Sequence, residues 1–206
     1  MKKSKSSGRW LAEHENDEFV QRARQEGYRS RASYKLLEIS DRFDLIRRGM
    51  TVVDLGAAPG GWCQVAKTRT GPAGTVIGLD ILPMEPVDGV TLIEGDFTEE
   101  GPYQALIEAL DGKSVDLVIS DMAPNLSGTK AIDQPRAMYL VELAVDFAAS
   151  VLKPGGSLLV KCFEGEGINA ARRDFSERFA QVSNVKPRAS RGRSREIYLL
   201  GRGYRS

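Results

Sequence analysis

The hydrophobic positions of the chain follow two alternating patterns. Short, nearly continuous apolar runs rich in Val, Ile and Leu occupy residues 51–56, 75–80, 90–96, 115–121 and 157–163. Such runs predict strands buried on both faces, as in a parallel sheet covered by helices. The segments between them, near 61–70, 102–111, 135–152 and 169–181, predict helices. This repeating β-α order predicts a doubly wound α/β domain with helices on both faces of the sheet.

The two ends of the chain depart from this alternation. From Ser30, apolar residues recur at near-helical spacing and predict an amphipathic helix that ends by Gly49. Near the other end, NVKPR and REIYLLGR are separated only by ASRGRS and predict an antiparallel hairpin, which gives seven strands in all. Residues 1–28 are polar and basic, and we expect them to be irregular and partly flexible. Residues 29–206 are then expected to form a single domain.

Composition excludes several classes of protein. No apolar run approaches the roughly 18 residues of a membrane span. The basic start MKKSKSSGRW is followed by polar rather than apolar residues, so we expect no secretory signal. We therefore expect a cytoplasmic protein, and we expect it to be a monomer. Cys63 and Cys162 lie in predicted core segments and indicate neither a disulfide framework nor a metal site. His14 is the only histidine, which leaves Ser-His or Cys-His catalysis without its base.

Charge is segregated along the chain despite a net charge of only +1. Residues 1–48 carry 12 basic against 8 acidic side chains, residues 49–185 carry 10 against 19, and residues 186–206 carry 7 against 1. Basic ends on an acidic body predict a face that binds a polyanion if the two ends meet in space. The alternative is that both ends are simply solvated termini.

The turn after the first strand predicts a ligand site. Its sequence, GAAPGG, places Gly56, Gly60 and Gly61 where ligands bind in an open α/β sheet. The spacing fits neither the dinucleotide fingerprint nor the phosphate loop, which argues against a pyrophosphate ligand. Asp54, inside the strand, favours a partly cationic or polyhydroxyl ligand instead.

Carboxylates at the ends of other strands support this interpretation. Asp80 and Asp96 are placed to meet a ribose and an adenine edge, and Asp121 ends the fourth strand. A single such carboxylate is commonly only a turn residue. Acidic residues on four separate strands are harder to explain in that way. Together, these features resemble the Rossmann-like methyltransferases that bind S-adenosylmethionine.

Two lysines and two acids resemble a catalytic tetrad. Lys161 lies within the apolar strand SLLVKCF, where a lysine is costly to bury unless it has a partner or a function. Lys35 alone would be an ordinary surface lysine, and Glu196 alone would be a cross-strand partner for an arginine. With Asp121, these residues resemble the Lys-Asp-Lys-Glu tetrad of RNA 2′-O-ribose methyltransferases.

The resemblance extends to the bacterial FtsJ family and covers residues 30–204. It rests on SRASYKLLEI, VVDLGAAPGGW, GDF, SDMAPNLSG, LVKCFEGEG and SREIYLLGRGYR. It implies methylation of a uridine ribose in the A-loop of large-subunit ribosomal RNA, with S-adenosylmethionine as cofactor. The residues expected to bind the cofactor are Asp54, Gly56, Gly60, Gly61, Trp62, Asp80, Asp96 and Asp121.

In-line methyl transfer requires a group that positions the 2′-oxygen as the oxygen loses its proton. Lys161 either accepts that proton itself or stays charged and orients the oxygen while the proton leaves to water. The residues expected to contact RNA phosphates are Arg29, Arg31, Lys186, Arg188, Arg191, Arg193 and Arg195, with Arg9, Arg22 and Arg24 beside them. The alternatives are a 2′-O-methyltransferase of transfer RNA or another RNA, and a ribosome-assembly factor without catalytic activity.

Overall fold

A computed structural model describes residues 17–125 and 127–205, and within them seven strands form one sheet. The strands are β1 (Thr51–Leu55), β2 (Thr75–Asp80), β3 (Thr91–Glu94), β4 (Val115–Ser120), β5 (Leu152–Phe163), β6 (Phe179–Val185) and β7 (Glu196–Tyr204). Their order across the sheet is β3-β2-β1-β4-β5-β7-β6. β1 to β5 are parallel, whereas β7 is antiparallel to both β5 and β6. The predicted parallel sheet with a terminal antiparallel hairpin is confirmed.

Six helices connect or precede the described strands. They are α1 (Glu18–Glu26), α2 (Ser33–Phe43), α3 (Gly61–Thr70), α4 (Glu100–Leu110), α5 (Lys130–Val151) and α6 (Ile168–Arg178). Helix α2 ends well before Gly49, because Asp44 adopts a left-handed conformation with φ of 48°. Helix α5 begins five residues before Pro135, the position at which the sequence pattern placed its start. The helix boundaries therefore differ from the prediction, although the order of elements does not.

Part of the N-terminal segment is helical, so the prediction of an irregular segment is wrong for Glu18–Glu26. The Asp17 side chain caps α1 by accepting a backbone hydrogen bond, and Gly27 ends the helix in a left-handed conformation. Only Val20 and Ala23 of this helix are buried, so its hydrophobic pattern is too sparse to predict a helix from sequence. Residues 1–16, with Arg9 and His14, lie outside the described residues.

The core has two layers, one on each face of the sheet. Helices α4, α5 and α6 cover one face, where Leu106 and Phe175 pack against Val118 and Leu158. Helices α2 and α3 cover the other face, where Leu36 and Val65 pack with the neighbouring strand residues. This arrangement leaves the carboxyl ends of the parallel strands open along one edge of the sheet, the position where α/β sheets bind ligands.

Candidate active site

A cavity of about 390 Å³ opens at this edge of the sheet. It lies between the glycine turn, the residues that follow β2 and β3, and the beginning of the loop after β4. Its volume falls in the range of roughly 300–1,000 Å³ that is usual for small-molecule sites. The predicted cofactor residues that line it are Gly56, Asp80, Asp96 and Asp121.

Gly56 allows the glycine turn to approach the loop after β4 closely. Its φ of 77° is a left-handed value that favours glycine. A Cβ at this position would lie 2.4 Å from Cγ of Met122, which itself lines the cavity. Glycine is therefore required here for two reasons, the backbone conformation and the contact with Met122.

Asp80 and Asp96 are held in place by backbone groups around the cavity. Asp80 accepts hydrogen bonds from the backbone N–H of Ala58 at 2.9 Å and of Leu82 at 2.8 Å. One oxygen of Asp96 accepts from the N–H and the hydroxyl of Thr98. These bonds fix both carboxylates and leave each with lone pairs for a ligand.

The cavity also has an exposed apolar rim. Ile81, Leu82 and Tyr139 are 66%, 58% and 57% exposed, and all three line it. Apolar walls and carboxylates in one cavity fit a ligand that has both a flat apolar ring and polar or positively charged groups.

Asp54 is completely buried and does not line this cavity. One of its oxygens accepts a hydrogen bond from the Cys63 thiol at 3.2 Å, and the other has no hydrogen-bond partner. Burial raises the pKa of Asp54 to about 7, and the Cys63 hydrogen bond opposes this effect. The same burial raises the pKa of the Cys63 thiol far above its usual range.

Three other residues expected at the cofactor also lie outside the cavity lining. Trp62 is 3% exposed and donates its indole N–H to the carbonyl of Ala32 at 2.8 Å. Gly61 packs against the Ser30 and Ser33 hydroxyls, and a Cβ on Gly60 would lie 3.0 Å from the Arg29 guanidinium. For these residues, as for Asp54, a cofactor contact stays a prediction.

The four predicted catalytic residues come together beside the cavity. Lys161, 9% exposed, places Nζ 3.1 Å from Oδ1 of Asp121 and 2.5 Å from the Asp121 carbonyl oxygen. Lys35, 8% exposed, contacts both carboxylate oxygens of Glu196 at 2.8 and 2.9 Å. The same ammonium lies 3.9 Å from Oδ1 of Asp121, so the two ion pairs form one cluster.

Sequence reasoning missed Tyr198, which lies within this cluster. Its side chain is completely buried, and its hydroxyl donates to Oδ1 of Asp121 at 2.5 Å. One sequence signal was available, since Tyr198 lies two residues after Glu196 and therefore faces the same side of β7. In the sheet it is the direct antiparallel partner of Lys161.

The basic ends of the chain meet next to the tetrad. Arg31 forms an ion pair with Asp17 at 3.2 Å and donates to the carbonyl of Ala189 at 2.6 Å. The backbone N–H of Arg188 donates to Glu38 of α2. These contacts join the segment before α2, and α2 itself, to the segment before β7. The described parts of the two basic ends therefore lie side by side, as one basic face requires.

Several of the predicted RNA-binding side chains also have partners within the protein. Arg29 donates to the carbonyls of Pro59, Glu85 and Pro86, and thus ties the glycine turn to the loop after β2. Lys186 donates to the carbonyl of Ser194, and Arg195 to that of Glu164. Arg188 and Arg193 are exposed and Arg191 is half-buried. RNA contacts by all seven residues stay predictions.

The part of the chain that the structure describes contains no helix that could span a membrane, no candidate metal site and no disulfide bond. None of its helices is long and apolar enough to cross a membrane. Its His, Cys, Asp and Glu side chains form no group of three or more that could hold a metal ion. Both cysteines are free and buried.

Comparisons with known proteins agree on one family. The family described as FtsJ-like methyltransferase matches residues 28–204. Ribosomal RNA large subunit methyltransferase E of Alkalilimnicola ehrlichii is 63% identical over 203 residues, which are 98% of this chain and 97% of that protein. The protein of the same name from Pseudomonas aeruginosa is 56% identical over 205 residues, which are 100% and 99% of the two chains.

A solved structure supports the fold. It is that of a Plasmodium falciparum protein described as a ribosomal RNA methyltransferase, with a TM-score of 0.79 and 30% sequence identity. The match covers 86% of this chain and 98% of that one. The predicted Rossmann-like methyltransferase fold is confirmed.

Proposed function

Because this chain belongs to the FtsJ-like methyltransferase family, we propose that it transfers a methyl group from S-adenosylmethionine to a ribose 2′-hydroxyl of large-subunit ribosomal RNA. The observation that carries this proposal is the cluster of Lys35, Asp121, Lys161 and Glu196, which borders the cavity at the strand ends. Asp121 belongs to both, so the cavity and the tetrad meet at one carboxylate.

The cavity fits the proposed cofactor. S-adenosylmethionine, when bound there, supplies a methyl group on a positively charged sulfur. Asp80 would accept the ribose hydroxyls, and Asp96 lines the same cavity with one carboxylate oxygen outside its bonds to Thr98. The exposed apolar rim of Ile81, Leu82 and Tyr139 suits an adenine ring, which would cover part of it.

The contacts of Lys161 favour the second of its two possible roles. The Asp121 carbonyl accepts a hydrogen bond from its ammonium at 2.5 Å, and the Asp121 carboxylate forms an ion pair with the same ammonium at 3.1 Å. An ammonium has three N–H donors, so one remains for the acceptor oxygen. In this proposal Lys161 stays charged and holds the 2′-oxygen in line with the methyl carbon, and the hydroxyl proton leaves to water. Lys35 and Glu196 fix the other side of the cluster.

The acceptor is inferred from the names of the relatives and from charge. The curated relatives are named for the ribosomal RNA of the large subunit. The joined basic ends lie beside the tetrad and would contact the phosphates of this RNA. We extend the proposal to a uridine ribose of the A-loop within the assembled subunit, and to a cytoplasmic monomer.

The test is tritiated methyl transfer from S-adenosylmethionine to large ribosomal subunits that lack A-loop methylation, with free ribosomal RNA and transfer RNA as competing acceptors. We expect label on the A-loop ribose. The Lys161→Ala variant should transfer no label while it still binds the cofactor. Lys153→Ala is the matched control, because Lys153 pairs with Asp116 at the opposite end of the sheet, and it should transfer at the parent rate.

Each other outcome has a defined meaning. Label on transfer RNA alone would replace the acceptor and keep the chemistry. An active Lys161→Ala variant would remove Lys161 from the reaction centre. No label on any RNA would refute the enzymatic proposal and favour a ribosome-assembly factor without catalytic activity.

A further inference from the structure

We infer that Tyr198 is a positioning residue of the methyl-transfer site, which holds Asp121 so that one carboxylate oxygen serves both lysines and the other faces the cofactor cavity. This inference rests on the proposed function. It concerns a residue outside the predicted tetrad, and it assigns a task to the hydroxyl of that residue.

The first observation is that one oxygen atom joins all of these groups. Oδ1 of Asp121 accepts from the Tyr198 hydroxyl at 2.5 Å, and it forms ion pairs with Nζ of Lys161 at 3.1 Å and with Nζ of Lys35 at 3.9 Å. Within the described residues, the other oxygen of Asp121 has no hydrogen bond, and Asp121 lines the cavity. A hydrogen bond to a fixed donor therefore sets the rotation of the whole carboxylate.

The second observation is that Tyr198 is itself immobile. It is completely buried in the core layer of α2 and α3, and its ring lies 5.7 Å from that of Trp62. Its backbone is paired with Lys161 of β5 in the middle of a continuous antiparallel register. A donor held on both sides in this way transmits the rigidity of the sheet to Asp121.

The third observation concerns protonation and the neighbouring lysine. Burial raises the pKa of Tyr198 well above its usual value, and the nearby charges of Asp121 and Glu196 raise it further. The hydroxyl thus stays a donor throughout the working pH range. Nζ of Lys35 lies 5.7 Å from the centre of the ring, at a distance where a cation is attracted to its face.

Removing only the hydroxyl is expected to slow the transfer step. In Tyr198→Phe, Asp121 loses one donor and is free to rotate away from its position between the lysines and the cavity. This loss of orientation lowers kcat and leaves RNA binding largely unchanged.

The experiment compares the parent, Tyr198→Phe and Tyr204→Phe proteins in the methyl-transfer assay at neutral pH. Tyr204 is the matched control on the same strand, and its hydroxyl donates only to the carbonyl of Ala149. For Tyr198→Phe we expect kcat to fall roughly tenfold, as for a lost hydrogen bond to a charged group. KM for RNA should change less than twofold, and 3-fluorotyrosine at position 198, which keeps the donor, should restore kcat.

A parent-like kcat in Tyr198→Phe would overturn the inference, and so would an equal loss in Tyr204→Phe. A rise in KM for RNA as large as the fall in kcat would indicate a packing role only and would also overturn it. If the phenylalanine variant does not fold, the 3-fluorotyrosine protein decides, because a parent-like kcat would support the inference and a tenfold loss would overturn it. No transfer by the parent would refute the proposed function, and this inference with it.

Discussion

Replacement of the buried Asp54 by asparagine is expected to make the protein more stable at neutral and alkaline pH. Asp54 is completely buried, and its pKa is raised from an ordinary value of 3.8 to about 7, chiefly by burial. Between pH 3.8 and about pH 7, Asp54 therefore keeps its proton in the folded state, whereas the unfolded chain has already lost it. Stability from this group is fully present below pH 3.8 and is lost as the pH rises to about 7.

The magnitude follows from that interval. Each unit of pH within it is worth about 1.36 kcal/mol, so ionised Asp54 costs the folded state roughly 4 kcal/mol above neutral pH. Between pH 5 and pH 8, the cost grows by about 3 kcal/mol. An asparagine has nearly the same shape and does not ionise. The difference in free energy of unfolding between Asp54→Asn and the parent should therefore grow by about 3 kcal/mol in favour of the variant from pH 5 to pH 8.

The assay is urea unfolding of both proteins from pH 5 to pH 8, followed by circular dichroism. All other titrating groups are common to both chains, so the difference between the two curves isolates Asp54. Cys63→Ala is the companion variant, because the thiol hydrogen bond lowers the pKa of Asp54, so its loss should raise that pKa and extend the decline to higher pH. A difference between parent and Asp54→Asn that stays constant with pH would refute the reasoning.

The remaining predictions concern the cavity and the basic face. Gly56→Ala should lower the free energy of unfolding by about 1–2 kcal/mol for the left-handed backbone and also weaken cofactor binding by displacing Met122. Gly112→Ala is the control, because Gly112 has a φ of 71° and an added Cβ there would meet no other atom, so this variant should lose stability without losing cofactor affinity. Equal cofactor affinity of the two variants in calorimetry would contradict the role of Gly56. Arg29→Ala should weaken cofactor binding about tenfold, because its three carbonyl partners would separate, and a parent-like affinity in calorimetry would contradict this. Arg191→Gln should leave cofactor binding unchanged and reduce the slope of log RNA affinity against log salt by about 1, so an unchanged slope would contradict the predicted RNA contact of Arg191.

The fold was largely predictable because its strands are buried on both faces. A run such as TVVDL shows no polar alternation, and all five of its residues are buried in the structure. Helix α1 could not be predicted in the same way, since only two of its nine residues are buried. Its stability depends on the Asp17 cap, the Gly27 end and contacts with α2, which sequence periodicity does not report.

Charged residues that are costly to bury could be noticed from the sequence, whereas residues whose hydrogen bonds depend on distant parts of the chain could not. Lys161 is conspicuous because a lysine in an apolar strand needs a partner. Tyr198 is inconspicuous, because a tyrosine in an apolar strand usually serves packing, and the role of its hydroxyl depends on the position of Asp121. The hydrogen bonds of Arg29 were equally inconspicuous, because its carbonyl partners, at Pro59, Glu85 and Pro86, carry no signal in their side chains.

The position of β7 bears on how the sheet can assemble during synthesis. Of the described strands, β7 is synthesised last, yet it lies between β5 and β6 in the sheet. Until it inserts, β6 lacks its pairing strand, Lys35 lacks Glu196, and Lys161 faces no Tyr198. Under the proposed function, a nascent or prematurely terminated chain without β7 would thus lack part of the proposed active site, however well its first five strands had folded.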